Sequence, residues 1–182
     1  GEGIRAGGHA FVEAGGRLSV SADIVTEAGA LRLLAAGDLI QNVGVSLSTA
    51  GASLEVESAT GSIVMADDAL ATTGDGAGTV RYHAAVDLTL GGIDAGTGNV
   101  SLLATAGSIV DGGETLTDVV ATALSARAGT GIGSASDPIE TDVMAIGADA
   151  GAGGVALTND GDLAVDIVTA NIDRVLAGGD TI

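Results

Sequence analysis

The chain has 182 residues, enough to bury a substantial core, but its composition limits what can fill that core. Apolar residues make up 46% of the chain and aromatic residues only 1%, so alanine, valine, leucine and isoleucine must supply the interior. A net charge of −18, with six arginines and no lysine, excludes surfaces that bind nucleic acid or anionic lipid through phosphate groups. No apolar run reaches the roughly 18 to 20 residues of a membrane span, and the lack of cysteine excludes disulfides and thiolate metal sites.

A two-part phrase recurs along the chain. It begins with "LSVSADIV" from Leu18 and continues with "LRLLAAGDLIQN" from Leu31, "LEVESATGSIVMADD" from Leu54 and "VSLLATAGSIVDGG" over residues 100–113. Within each part apolar residues occupy alternate positions, and Gly, Asp, Asn, Ser or Thr separate the parts. Alternation with a period of two predicts short strands, and the small polar residues predict turns between them.

The phrases align in two columns. The first parts are Leu31–Leu33, Leu54–Val56, Val80–Tyr82, Val100–Leu102, Leu124–Ala126 and Val155–Leu157. The second parts are Gly37–Leu39, Gly61–Ile63, Val86–Leu88, Gly107–Ile109, Thr130–Ile132 and Gly161–Leu163, at steps of 24, 25, 21, 24 and 30 residues. A loose but persistent period of this size is typical of a solenoid protein.

Two segments interrupt the phrases and are predicted to be loops, residues 67–78 and 133–142. The second contains Pro138, which cannot donate to a strand ladder and is expected at a corner or an edge. Residues 117–128 admit a helix as the minority alternative to a strand. No segment resembles an interdomain linker, so residues 1–182 are interpreted as a single β-helix segment of a longer repeat protein.

Two or three short strands per phrase cannot bury an apolar face alone, whereas stacked phrases can. The sequence therefore predicts an all-β parallel β-helix of about 20–25 residues per coil, with seven or eight coils and an axial length of roughly 35 Å. The residue between the two apolar positions of each first part should point outward. This register predicts that Arg32, Glu55 and Arg81 stack on one face.

Catalysis on a β-helix would need clustered carboxylates with a basic partner. Asp87, Asp94 and Asp111 could meet across adjacent coils near His83 and Arg81. The alternative is that they are solvated turn carboxylates. We favour this alternative and predict no catalytic residues and no enzyme activity.

Metal and cofactor signals are weak. The two histidines, His9 and His83, lie 74 positions apart without a thiol, which argues against a transition-metal site. Acidic turns such as Asp67-Asp68 and Asp160–Asp162 could bind calcium weakly. The sequence therefore predicts no cofactor and assigns no metal-ligating residue.

Two segments carry a family resemblance, "ALSARAGTGIGSASDPIETDV" at 123–143 and "GGVALTNDGDLAV" at 153–165. They resemble the repetitive passenger region of filamentous-haemagglutinin-like, two-partner-secreted giant bacterial adhesins. The resemblance implies a right-handed β-helical stalk used in adhesion, in a protein that is secreted and displayed at the bacterial cell surface. The implied partners are copies of the same protein and a host or cell-surface glycan or protein.

Three functions follow as hypotheses. The first is a structural and adhesive stalk. The second is an extracellular filament subunit whose coil ends stack head to tail, because an uncapped coil presents unpaired strand edges. The third is a glycan-binding or carbohydrate-active β-helix module, which would need carboxylates, a basic residue and an aromatic ring in one groove.

Overall fold

A computed structural model describes residues 3–113 and 117–182, and every regular element in those ranges is a β-strand. No helix in the described part of the chain has the length and hydropathy to cross a membrane. The strands, in chain order, are β1 (Ile4–Ala6), β2 (Ala10–Ala14), β3 (Leu18–Val20), β4 (Ile24–Thr26), β5 (Leu31–Ala35), β6 (Leu39–Gln41), β7 (Ser46–Thr49), β8 (Leu54–Ser58), β9 (Ile63–Met65), β10 (Leu70–Thr72), β11 (Val80–Ala84), β12 (Leu88–Leu90), β13 (Gly92–Asp94), β14 (Asn99–Ala104), β15 (Ile109–Asp111), β16 (Val119–Ala128), β17 (Gly131–Ile132), β18 (Ile139–Ala150), β19 (Gly154–Val155), β20 (Leu157–Asn159) and β21 (Ala164–Val165).

The strands form three faces of a parallel β-solenoid. The first face contains β2, β5, β8, β11 and β14, and the second contains β3, β6, β9, β12, β15, β17 and β19. The third face contains β1, β4, β7, β10 and β13. The long strands β16 and β18 run through the corner from the third face into the first, so these two faces share one hydrogen-bonded sheet.

Successive coils stack in register on the first face. One column of directly paired residues consists of Ala10, Leu31, Leu54, Val80, Val100, Leu124 and Ile146. The steps are 21, 23, 26, 20, 24 and 22 residues. The predicted all-β parallel β-helix is therefore confirmed, with three strands in a typical coil and about seven coils.

The predicted register holds as far as Leu124 on the first face and Ile132 on the second. It is wrong in the last coil, where Ile146 pairs with Leu124 and Val155 pairs with Ile132. The first-face strand of that coil is "AIGADA", whose small and polar residues gave too little apolar alternation to identify it. Val155–Leu157 and Gly161–Leu163 are thus shifted from their predicted columns.

The first phrase is also displaced by one strand. Leu18 pairs with Leu39, so "LSVSADIV" supplies strands of the second and third faces. The first-face strand of its coil is β2, "AFVEA", which begins at Ala10. That coil therefore begins earlier than the sequence analysis placed it.

Both predicted loops contain strand. Residues 67–78 include β10, and residues 133–142 include the first residues of β18, so each segment is a loop only in part. Pro138 lies between a turn and β18, at the corner where it was expected. Residues 119–128 form β16, which confirms the strand interpretation over the helical one.

The interior is filled by aliphatic side chains, as the composition requires. Fully buried members include Leu31, Leu33, Leu39, Leu47, Leu54, Ile63, Leu88, Leu90, Ile93 and Leu102. Tyr82 is the exception to the aliphatic pattern, because its ring points inward between Val56 and Leu102 and is 0% exposed. The Tyr82 hydroxyl donates to Oε1 of Gln41, whose Nε2 donates to the carbonyls of Val45 and Leu70.

Glycine allows the backbone of successive coils to meet at the corners. At Gly51 the φ angle is 87°, in the left-handed region that favours glycine. A Cβ added to Gly76 in the next coil would lie 2.1 Å from the Cα of Gly51. A side chain at Gly76 would therefore force these two turns apart.

After β21 the chain does not form another coil. Residues 167–182, here called the return segment, run back over the first face toward the amino-terminal coils. The carbonyl of Thr169 lies 3.4 Å from Nδ2 of Asn99, and the amide of Asp173 lies 3.3 Å from Oγ of Ser53. Val175 is 1% exposed, so the segment buries apolar surface as well as forming polar contacts.

Candidate functional site

The first face carries a ladder of opposite charges at the predicted place. Arg32 pairs in register with Glu55, and Glu55 pairs in register with Arg81. Nη1 of Arg81 lies 2.5 Å from Oε1 of Glu55, and Nε of Arg32 lies 3.0 Å from Oε2. The predicted stacking of these three residues on one face is confirmed.

A third arginine, from the return segment, completes the arrangement around Glu55. Nε of Arg174 donates to Oε2 at 2.9 Å, and Nη2 donates to Oε1 at 2.5 Å. The hydrogen bonds with Glu55 raise the pKa of Arg174. As a result, the Glu55 side chain is only 1% exposed although its strand position faces outward. We call Arg32, Glu55, Arg81 and Arg174 the arginine cluster.

Burial changes the energetics of this ladder. An exposed ion pair contributes about 0–1 kcal/mol, whereas a buried carboxylate must be compensated by charge and hydrogen bonds. Arg32 also pairs with Glu57 at 3.1 Å and lies over the Phe11 ring, 5.6 Å from its centroid. The cluster therefore links three coils and the return segment through one carboxylate.

His83 extends the ladder on the same strand as Arg81, and its side chain points outward. Its Nδ1 lies 2.9 Å from Nη2 of Arg81, and its Nε2 lies 3.1 Å from Oγ1 of Thr105. Since the guanidinium can only donate, Nδ1 accepts and Nε2 carries the proton of a neutral ring. Burial, followed by the positive charge of Arg81, lowers the pKa of His83, and these effects outweigh the attraction of Glu57 and Glu55.

This arrangement predicts a pH dependence. A histidine in the unfolded chain titrates near pH 6.5, and His83 in the folded chain binds a proton less readily than that. The contribution of His83 to stability should therefore be complete above about pH 6.5 and decline as the pH falls below it. Urea unfolding should show that the free energy of unfolding falls less between pH 7.5 and pH 5.5 for His83→Gln than for the unaltered chain. Identical losses in the two proteins would contradict the proposed protonation state.

A second charged feature lies at the corner between the second and third faces. Asp111 ends β15, Asp118 immediately precedes β16, and Glu140 lies in β18 one coil further. One carboxylate oxygen from each residue lies within 4.8 Å of the other two. Asp111 and Asp118 are buried and Glu140 is partly buried. We call these three residues the carboxylate corner.

Backbone amides orient two of the carboxylates. The amide of Gly113 donates to Oδ1 of Asp111 at 3.0 Å, and the amide of Glu140 donates to Oδ2 of Asp118 at 2.9 Å. Oδ2 of Asp111 and Oε2 of Glu140 are buried without a hydrogen-bond partner in the described part of the chain. A fourth carboxylate, on the exposed Asp137, lies nearby. Desolvation, followed by repulsion from and hydrogen bonding with Asp111, raises the pKa of Asp137.

The structure does not bring the three predicted acidic candidates together. Asp87 precedes β12 at one end of the second-face strands, and Asp111 ends β15 at the other. Asp94 lies in β13 on the third face, while Arg81 and His83 lie on the first. The suggested clustering of these residues is therefore wrong, because the solenoid distributes them over three faces.

The other predicted metal candidates are also separate. Asp67 and Asp68 form an exposed turn after β9, and Asp160–Asp162 form an exposed turn after β20. Neither turn belongs to a group of three clustered ligand side chains within residues 3–113 and 117–182. His9 has a structural contact instead, since its Nδ1 accepts the amide of Ala30 at 2.9 Å.

A shallow groove on the first face offers a surface for a ligand. It encloses about 400 Å³ and is lined by Ser125, Arg127, Gly147, Ala148, Asp149, Val165, Asp166, Ile167 and Val168. Arg127 and Asp149 form an ion pair of 3.0 Å there. The lining contains no aromatic ring of the kind that stacks on sugars.

No protein-family model, curated protein or solved structure matches this chain. The resemblance to filamentous-haemagglutinin-like adhesins therefore stays a prediction from residues 123–143 and 153–165.

Sequence reasoning missed the return segment and the carboxylate corner. Arg174 gave no signal of its role, because its contact with Glu55 spans 119 positions and follows no period. Asp111 did give a signal. It pairs with Leu90 of the preceding coil, so its charged side chain occupies an inward position in a column that also contains Val20, Gln41 and Met65.

Proposed function

We propose that the chain is a non-catalytic β-helical stalk segment of a large secreted or surface-attached bacterial exoprotein. Its role is to space or display a binding surface. The observation that carries this proposal is the continuous stack of coils in one register from Ala10 to Ile146. Each coil adds about 4.8 Å of length, so such a stack is suited to setting a distance.

The surface supports the same role. The chain is strongly acidic, which favours solubility and mutual repulsion between copies. The lining of the first-face groove contains no histidine, and one of its two carboxylates, on Asp149, is paired with Arg127. The resemblance of residues 123–143 and 153–165 to exoprotein passenger repeats adds to this support.

A second function, the filament subunit, is favoured by the coil ends. The strands β1, β2 and β3 at one end and β19, β20 and β21 at the other each have one partner strand at most. Val165 in β21 is 86% exposed and Ile167 is 92% exposed. Such edges can pair with a further coil, whether of the same chain or of another copy.

Sedimentation velocity over a wide concentration range tests the stalk against the filament. A stalk segment should sediment as a 17.3 kDa monomer and appear in electron micrographs as short particles. Continuous fibres with an axial spacing of about 4.8 Å would overturn the stalk in favour of the filament. If fibres form, Val165→Asp should abolish them. Val43→Asp, at a turn position that is 68% exposed, should leave them intact.

A further inference from the structure

Asp111 occupies an inward strand position that holds an apolar side chain in the preceding coil. It is 7% exposed and lies in register with Leu90, which is fully buried in the preceding coil. A carboxylate at such a position loses hydration and must be compensated by a cation or by several hydrogen bonds. Oδ1 receives one hydrogen bond from the amide of Gly113, and no N–H or hydroxyl group of the described residues donates to Oδ2. The other group that hydrogen-bonds with Asp111 is the carboxyl of Asp137, which can donate only when it is protonated and so cannot neutralise the pair of carboxylates.

The arginine and histidine side chains that the structure describes do not compensate the charges of Asp111 and Glu140. Among residues 3–113 and 117–182, neither Asp111 nor Glu140 forms an ion pair with an arginine or a histidine. Three of the six arginines are gathered in the arginine cluster on the first face. Within the described ranges, the negative charges of Asp111 and Glu140 therefore have no positive side chain paired with them.

The spacing of the carboxylates suits a bound cation. Calcium takes oxygen ligands at about 2.3–2.6 Å, so two ligands on opposite sides of the ion lie roughly 4.6–5.2 Å apart. The three carboxylate oxygens of the corner lie within 4.8 Å of one another. The amides of Gly113 and Glu140 fix two of the carboxylates in place, which reduces the cost of organising a site.

The donor set selects the kind of metal. All three ligand residues offer carboxylate oxygen, and the group contains neither histidine nor cysteine. Oxygen-only sites prefer hard cations, whereas zinc and copper favour nitrogen or sulfur ligands. We propose that Asp111, Asp118 and Glu140 form a calcium site, with Asp137 available as a fourth carboxylate.

The site joins strands that are distant in sequence. Its ligands come from the end of β15, the start of β16 and the strand β18 of the following coil. A bound ion would tie the second face to the third and one coil to the next. This is a different place from the exposed acidic turns at residues 67–68 and 160–162.

Isothermal titration of the chelator-treated chain with calcium chloride tests the proposal. One calcium ion should bind per chain, and at about 100 times the dissociation constant it should raise the Tm by about 5–10 °C. Asp111→Asn with Glu140→Gln should weaken binding at least about 100-fold, because ligand charge sets calcium affinity. The metal-free double variant should melt at a higher temperature than the metal-free unaltered chain, since buried repulsion is removed.

Asp67→Asn with Asp68→Asn is the matched control, because it removes the same charge from an exposed turn. It should retain full binding and the full rise in Tm. If the site variant fails to fold, Glu140→Gln alone replaces it, since Glu140 is only partly buried. Equal calcium responses in site and control variants, or no stoichiometric binding to the unaltered chain, would overturn the proposal.

Discussion

Replacing Glu55 with glutamine should lower the free energy of unfolding by about 3 kcal/mol. The substitution preserves shape and removes the one negative charge that Arg32, Arg81 and Arg174 share. Removing one partner of a buried ion pair costs about 3–5 kcal/mol, because the remaining charges are left uncompensated. The low end applies here, since the three arginine side chains are 11%, 18% and 34% exposed and retain some hydration.

The measurement is the urea unfolding curve of the unaltered and variant chains, with circular dichroism as the signal. Glu27→Gln is the matched control. Glu27 also pairs with an arginine of the neighbouring coil, Arg5, but these side chains are 49% and 75% exposed. The control should cost no more than about 0.5 kcal/mol. Similar losses for Glu55→Gln and Glu27→Gln would show that burial by the return segment contributes nothing.

The same cluster predicts what holds the return segment. Arg174→Ala removes the contact that spans 119 positions while leaving Arg32 and Arg81 on Glu55. Limited proteolysis should then cut within residues 167–182 much faster than in the unaltered chain, with the coils protected. An unchanged cutting rate would indicate that the burial of Val175 and the backbone hydrogen bonds of the segment hold it without Arg174.

The coils could be predicted from sequence because their physical requirement is repetitive. Most inward positions on a solenoid strand are apolar, and side chains alternate along a strand. This rule aligned Leu31, Leu54, Val80, Val100 and Leu124 correctly and placed Arg32, Glu55 and Arg81 on one outward column. For these residues the alternating sequence pattern and the observed stacking of the coils give the same register.

The rule failed where the pattern was weak. The last coil uses alanine and glycine where earlier coils use leucine and valine, so its strand resembled a loop. The strand β10 was also missed, because it has only three residues and shows too little alternation to be identified. Tertiary pairing with β7 and β13, rather than its own propensity, makes that segment a strand.

The two charged features depended on information that a repeat pattern does not contain. Glu55 was expected to face solvent, and only the return segment makes it buried. The carboxylate corner includes Asp118, from the segment that admitted either a strand or a helix, and Glu140, from a segment interpreted as a loop. Asp111 alone could have been singled out, because a charged side chain at an inward strand position departs from the alternating pattern.

The aromatic residue of the core should be the other position of large effect. Replacing Tyr82 with alanine should cost about 3–5 kcal/mol, because the ring is fully buried and its loss leaves a cavity between Val56 and Leu102. Tyr82→Phe keeps the ring and removes only the hydroxyl that donates to Gln41 at 3.1 Å. It should cost about 1–2 kcal/mol, the penalty of leaving a buried amide oxygen without a donor.

A double-mutant cycle separates packing from hydrogen bonding at this position. Gln41→Met uses the residue that occupies the same column one coil later, Met65, and removes the acceptor of the Tyr82 hydroxyl. If the hydrogen bond accounts for the cost of Tyr82→Phe, the cost should fall by about 1 kcal/mol in the Gln41→Met background. An undiminished cost would mean that the hydroxyl stabilises the core through packing alone.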